Sequence, residues 1–523
     1  MDQTHILKSP VRTHFLLPLV FILCACQPRE SAKNDCATPA KPDATPDITS
    51  STKPGDVKSS VVRINSTQQS WNPWQPWEKN PPRKRRALAA IIGPQRVLTT
   101  AELVADATYL EFESADGTRF SPAKVIAVDY EANLALLGPT SPKEGDYLFA
   151  HTIPLEITTP PKIGDTLEIL QLEDNGLTLL TPGTLQSVDL ASNFLPDHNF
   201  LTYMVKASMQ SAAGSYSLPV LHTGMLAGVL LNYNEKDQLC DVTSTDIVKR
   251  FLEGAATGAY KGFPSLGIAI ARTEDASFRQ WLKLSDDQGG IFIQRVRKGG
   301  AAEVGAVKPG DVLLAVDGKT IDRRGYYTHP NYGSLLWGHL IRGEKSTGDV
   351  VTLSVLRAGS LLELKVTLTR EDASTRLVPN PLFDKPPNYL LKGGLVFQEL
   401  SLPMLESFGE DWQSRAPLNL LDAYKNPEKY EASVDRIVFL SGVIPTPATV
   451  GYERLRNLIV HQVNGHKIRN MKNLIAAFKD KRANLHSIEF TEENLTVYLD
   501  DSVTAAVDAQ LLQRGISPIS RAE

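Results

Sequence analysis

Little in this chain could cross-link it, charge it strongly or carry it through a membrane. Four cysteines occur in 523 residues, too few for the disulfide framework of a small secreted scaffold. The charges nearly cancel: 55 Lys and Arg against 59 Asp and Glu leave a net −4. That balance gives no electrostatic footprint for nucleic acid. The ten histidines show no metal-ligand spacing, His329 and His339 included, so neither a metal nor another cofactor is expected. The longest apolar run, FLLPLVFIL at 15–23, is far short of the roughly 20 residues a membrane helix needs. Helical periodicity is clear once, in STDIVKRFLEG (244–254). What remains is ordinary soluble-protein composition, 42% hydrophobic and 22% charged, in a length that suits about three domains.

The first residues read as an address. Lys8 and Arg12 precede the apolar run, which ends in Leu23-Cys24-Ala25-Cys26. The pattern resembles a bacterial lipobox, so residues 1–26 are expected to be a lipoprotein signal with Cys26 as the lipidated mature N-terminus. A plain secretory peptide is the alternative. Gln27 after the cysteine suggests, in a Gram-negative cell, the outer membrane facing the periplasm. Residues 27–58 are rich in Pro, Ser, Thr, Ala, Lys and Asp and cannot bury a core, which predicts a disordered tether. Cys36 and Cys240 then remain, as free thiols or an incidental pair.

From 59 to 257 short β-rich runs alternate with turn residues: VVRIN (61–65), LAAIIG (88–93), RVLTT (96–100), AKVIAVD (123–129), TLEILQLE (166–173), MLAGVLLNYN (225–234). That density predicts a mostly β, chymotrypsin-like double β-barrel, closed by the 244–254 helix. Arg83-Lys84-Arg85-Arg86 reads as a solvated loop before the first core strand. Trp71, Trp74 and Trp77 fall in a Pro-interrupted loop; they are expected either to meet a neighbouring subunit or to pack on their own barrel.

Three segments in this region resemble the HtrA/Deg branch of trypsin-like serine proteases. They are VLTTAELV (97–104), DYEANLALL (129–137) and AAGSYSLPVLHTGMLAGVLL (212–231). The resemblance extends into two PDZ-like regions of α/β type. The first, 262–370, carries GFPSLGIAI (262–270), the turn Lys308-Pro309-Gly310-Asp311 followed by VLLAVDGKTI, and VVTLSVLRAGSLLELKVTL (350–368). Its run from Asp322 to Lys345 reads as an exposed insertion followed by the domain's helix. The second, 386–510, is similar to the divergent second PDZ domain of plant and bacterial Deg proteins, through PPNYLLKGGLVFQELS (386–401) and VGYERLRNLIVHQVNGHKIRNMKNLIAAF (450–478).

The resemblance fails at the catalytic residues. It places Glu102 where the family has its His base, Asn133 where it has the orienting Asp, and Tyr216 where it has the nucleophilic Ser. Ser217 and Leu218 stand where it has Gly-Gly. Acyl transfer needs a nucleophile, a base near neutral pKa and a group that fixes that base. Glu102 is a weak base, Asn133 cannot stabilise an imidazolium, and Tyr216 is bulky with a pKa of about 10. No catalytic residue is therefore expected. The alternatives are an active serine endopeptidase using Ser215 or Ser217, with a histidine such as His151, His198 or His222 moved in, or a Tyr216 nucleophile with Glu102 as base.

The resemblance further implies peptide-binding loops at Ser265-Leu266-Gly267-Ile268 and Gly393-Gly394-Leu395-Val396, where backbone N–H groups take a peptide C-terminus and the peptide extends the sheet. Ile268 and Leu266 would floor a side-chain pocket, or would be core strand residues. The implied partners are peptides or unfolded envelope proteins, in a homotrimer or higher oligomer or alongside an active Deg paralogue.

Overall fold

The computed structural model describes residues 57–173, 175–192, 194–209, 216–480, 484–492 and 495–522, which belong to one compact unit. The signal segment, Cys26, Cys36 and Ser215 lie outside the described residues. The tether expectation needs trimming at its end. Val57 is buried in the core and the Lys58 ammonium donates to the Gly176 carbonyl at 3.0 Å.

Six strands close the first barrel: β1 (Val61–Gln68), β2 (Arg83–Gly93), β3 (Arg96–Thr99), β4 (Ala107–Ser114), β5 (Phe120–Asp129) and β6 (Leu134–Pro139), in the order β1-β2-β3-β6-β5-β4. Strand alternation explains why these runs are apolar on both faces. Val62, Ile64, Ala89, Ile91, Ala135 and Leu137 fill the barrel with Phe112. Their neighbours Val61, Leu88, Ala90, Leu134 and Leu136 point the other way, into the core shared with the second barrel. That barrel has β7 (Thr166–Leu172), β8 (Thr178–Ser192), β9 (Asn199–Ala207), β10 (Pro219–His222), β11 (Met225–Asn234) and β12 (Leu239–Thr243), in the order β10-β11-β12-β9-β8-β7. The expected helix follows at Thr245–Ala256 and buries Ile247, Val248 and Phe251. Cys240 is buried and free.

A third sheet follows. It contains β13 (Ile268–Ala271), β14 (Ile291–Val296), β15 (Val312–Val316), β19 (Val350–Arg357) and β20 (Ser360–Thr367) in that spatial order, with β16 (Lys319–Thr320) beside β15. The stretch expected to be an exposed insertion is a hairpin, β17 (Tyr326–His329) with β18 (Gly333–Leu336), before a helical turn at His339–Arg342. It is not exposed: Tyr327, Tyr332 and Leu335 are buried, and the Tyr332 hydroxyl donates to the Pro161 carbonyl of the barrel region at 3.2 Å. Its aromatic content is a packing surface, which the turn-rich sequence concealed.

The last sheet comprises β21 (Tyr389–Lys392), β22 (Leu395–Glu399), β23 (Val438–Val443), β24 (Leu458–Val463), β25 (His466–Lys467), β26 (Leu485–Phe490), β27 (Thr496–Asp500) and β28 (Ser520–Arg521). Its order is β27-β26-β24-β23-β22-β21-β28, with β25 beside β24. Strand β28 lies beyond residue 510, so the sheet outruns the expected bounds. The Trp loop docks here, and neither expectation for it named this surface. Trp74 meets Phe408 edge-on at 5.3 Å and Trp77 meets Tyr389 at 6.3 Å. Arg521 sits over Trp71 at 4.7 Å, and the Gln398 amide donates to the Pro73 carbonyl at 3.1 Å. Among the described residues no helix is long and apolar enough to cross a membrane.

Candidate functional site

Strand β10 begins at Pro219, which suits a strand's first position, and Tyr216 lies just before it. Tyr216 packs on the first barrel's core from there. Glu102 sits in the 3-10 turn Ala101–Leu103 that ends β3, and Asn133 precedes β6. The structure therefore brings the three residues to one place, but not as a relay.

The Asn133 side-chain oxygen accepts the backbone N–H of Glu102 at 2.9 Å. It caps a turn and does not touch a base. Asn133 has φ +54°, a left-handed conformation that Asn tolerates better than most residues.

The Glu102 carboxylate pairs instead with Arg85 at 3.3 Å. The same guanidinium donates from Nε to the Tyr216 hydroxyl at 2.9 Å and lies over the Tyr216 ring at 4.3 Å. Arg85 is thus the centre of the site, and sequence reasoning missed it. Residues 83–86 are strand, paired antiparallel with 68–65 of β1. The signal was present: β2 continues the alternation of LAAIIG backwards, which sends Arg85 to one face and Lys84 and Arg86 to the other. Burial raises the Glu102 pKa against the opposing Arg85 charge and hydrogen bond. Burial likewise raises the Tyr216 phenol, again opposed by Arg85. A phenol held protonated beside a carboxylate already committed to a cation is poorly prepared for nucleophilic attack.

Ser217 is also poorly placed. It is 1% exposed. Its hydroxyl lies 2.6 Å from Thr99 Oγ1 and accepts the Thr100 N–H at 3.2 Å. Its φ is +61°, the region a glycine would occupy without strain. Its own N–H donates to the Leu230 carbonyl at 2.6 Å, which pins the turn after Tyr216. Of the candidate bases, His198 bonds Glu131 at 3.1 Å and His222 faces Asp165 at 3.5 Å; His151 is exposed. Among the described residues no imidazole is bonded to Glu102, Tyr216 or Ser217.

The two expected peptide loops differ. In the first, Ser265 bridges to Thr369, Leu266 is buried with its carbonyl accepting from Ala302, and Gly267 adopts φ +72°. Leu266 is therefore core, whereas Ile268 begins β13, which among the described residues pairs with β14 alone. That strand lines a cavity of about 1020 Å³. The second loop is closed. Gly393 and Gly394 form the turn of the β21–β22 hairpin, with Leu395 and Val396 opening β22. The Gly393 N–H donates to the Asp508 carboxylate at 2.8 Å. Strand β22 is flanked by β21 and β23, and β21 by β28, so no edge remains there for a peptide to extend.

His329 and His339 also depart from expectation. The β17–β18 hairpin and the following turn bring them together with Glu344, their ligand-type atoms within 4.8 Å of one another. Their spacing hid this because the chain folds back between them. The donors are already engaged. Lys319 holds both Glu344 oxygens at 2.6 and 2.8 Å, the Tyr327 hydroxyl lies 2.6 Å from His339 Nδ1, and His329 Nδ1 accepts the Asn331 N–H at 3.2 Å. His339 is buried, and burial holds its pKa down at about 4. An unfolded histidine near 6.5 binds protons that the folded one refuses, so stability falls as pH drops from about 6.5 towards 4. His339→Gln should remove roughly 2–3 kcal/mol of that acid loss, read from urea midpoints at pH 7 and 4.5.

Two family profiles described as PDZ domain match residues 262–325 and 378–520. Protease Do-like 2, chloroplastic, of Arabidopsis thaliana is 25% identical over 481 residues, covering 88% of this chain and 76% of that protein. Protease Do-like 4, mitochondrial, of the same plant is 25% identical over 448 residues, covering 85% and 81%. Among solved structures, the HtrA-type protease AlgW with decapeptide aligns with 61% of this chain and 98% of its own, at 17% identity and TM-score 0.46. Through the Do-like relatives and the PDZ profiles, this chain is a member of the HtrA/Deg family, with a chymotrypsin-like pair of barrels followed by two PDZ domains.

Proposed function

We propose that this protein is a proteolytically inactive HtrA/Deg homologue that binds peptides or unfolded envelope proteins, as a chaperone, adaptor or scaffold in quality control. The observation that carries the reading is Arg85, bonded at once to Glu102 and Tyr216 at the positions where the family resemblance puts base and nucleophile. A cation fixed there neutralises the carboxylate and holds the phenol as a hydrogen-bond acceptor. The open β13 edge is the binding element that remains. On this reading Cys26 anchors the chain by lipid to the cell envelope, at the outer membrane facing the periplasm, and the chain works as a trimer or beside an active paralogue.

Casein tests the reading. The full chain should leave fluorescent casein uncut, and Ser215→Ala and Ser217→Ala should change nothing. The same chain should lower light scattering from casein held under aggregating conditions. Cleavage abolished by either serine substitution would establish the alternative, an active serine endopeptidase with a displaced nucleophile.

A further inference from the structure

The cavity beside β13 has a chemistry that peptide binding alone does not require. Six arginines line it: Arg272, Arg295, Arg297, Arg324, Arg342 and Arg376. Three are committed elsewhere. Arg342 pairs with buried Glu131, and Arg297 and Arg376 share Glu371. The other three are at least half exposed or nearly so. Arg272 and Arg324 reach only weak local partners, Glu274 at 4.0 Å and Asp322 at 3.8 Å. Arg295 stands on β14, next to the open edge, and pairs with Glu428 at 3.2 Å. Glu428 is not a local partner. It belongs to the last domain, in the short turn Pro427–Lys429, which with Ala423, Tyr424 and Glu431 forms the far wall of the cavity.

We propose that this groove selects peptides bearing acidic side chains, and that the segment 423–431 competes with them by placing Glu428 on Arg295. The proposal rests on the peptide-binding reading above. An incoming strand would hydrogen-bond along Ile268–Ala271. Side chains on its groove-facing positions would then come within reach of Arg272, Arg295 and Arg324, while Trp337 and Ile341, which also line the cavity, supply apolar contact. The Arg295–Glu428 pair is about half exposed on both sides, so it is weak enough for a ligand carboxylate to replace it. A basic peptide would bring cations beside Arg272 and Arg324, whose carboxylate partners at 4.0 and 3.8 Å are weak, and would compete with Arg295 for Glu428, so it is disfavoured against an acidic one.

The probe is a short fluorescein-labelled peptide of alternating Glu and Val with a free C-terminus, titrated into the full chain in detergent by anisotropy. Its counterpart carries Lys for Glu. Three partly exposed ion pairs, each giving a factor of about two, predict a preference of about tenfold for the acidic peptide. Glu428→Gln should tighten the acidic peptide by about threefold, and Arg295→Glu should erase most of the preference. Both substitutions are of half-exposed side chains and leave the sheet intact. Equal affinities for the two peptides would overturn acidic selection while leaving peptide binding standing. Selection without any gain from Glu428→Gln would overturn the competing segment. No binding by the wild type or by Glu428→Gln would overturn the peptide reading itself. Self-association lost in Arg295→Glu, with no peptide bound, would assign the groove to a second copy.

Discussion

Replacing Glu102 by His, Asn133 by Asp and Tyr216 by Ser together is expected to leave casein cleavage at background. The triad would be complete in composition, yet the site around it would remain unsuited to acyl transfer. Ser217 donates its N–H to Leu230, and Leu218 is buried. The turn after the nucleophile position is therefore pinned, with Ser217 at φ +61° and its hydroxyl on Thr99, in a conformation that the family's glycines there would adopt without strain. Arg85 adds a second obstacle. Freed from Glu102 and Tyr216, its guanidinium would face the new imidazole and disfavour the protonated form that the base must adopt during attack. Adding Ser217→Gly and Arg85→Ala to the triple substitution should then bring cleavage up by orders of magnitude more than the triad alone. The comparison is made with fluorescent casein and a serine-directed phosphonate. If the triple substitution alone cuts casein well above a matched variant that keeps Tyr216, the backbone after Tyr216 is not the obstacle described here.

Glu131→Ala is expected to be among the most destabilising single substitutions in the chain. Glu131 is buried in the turn between β5 and β6. Its carboxylate holds His198 at 3.1 Å, Arg342 at 3.7 Å and Arg370 at 4.0 Å. The adjacent Asp129 is fully buried, accepts from the Tyr260 hydroxyl at 2.9 Å and shares Arg370 at 3.7 Å. Removing Glu131 leaves the Arg342 guanidinium desolvated without its carboxylate, a loss of about 3–5 kcal/mol. The hydrophobic pair Glu131→Leu with Arg342→Met should recover most of that, because it removes both charges together. Urea unfolding followed by tryptophan fluorescence reads both effects. The pH dependence has a definite sign. Burial, the largest influence, raises the Glu131 pKa, but the His198 bond and the two arginines outweigh it and hold the carboxyl below its usual range. Such a group contributes stability above an unfolded pKa of about 4.3 and loses it as pH falls through the folded value. The gap between wild type and Glu131→Ala should therefore be full at pH 7 and narrow below about pH 4.

Much of this architecture was legible in the residues alone. The density of short, nearly continuous apolar runs such as VVRIN and LAAIIG between turn residues was enough for barrel strands, because each strand needs one apolar face for the barrel and another for the neighbouring core. The ordered segments around Glu102, Asn133 and Tyr216 carried the family, and the structure brings those three residues together around Arg85. Arg85 was not legible in the same way. A run of four basic residues looks like a solvated loop until strand pairing shows which side of β2 each side chain takes. The same holds for the cluster of His329, His339 and Glu344, assembled by a hairpin within a turn-rich stretch.

By itself, then, the sequence determined the fold class, the family and the identity of the residues that the resemblance aligns with base, orienter and nucleophile. Those depend on local pattern, which a linear chain displays. Tertiary structure alone decided what the positions do with one another: that Arg85 bridges Glu102 and Tyr216, that Ser217 turns inward, that Gly393 and Gly394 make a closed hairpin turn, and that β13, paired among the described residues with β14 alone, borders an arginine-lined cavity. Each of these rests on groups far apart in the chain meeting across strands or domains. The free energy of such meetings comes from burial and pairing that no local window contains.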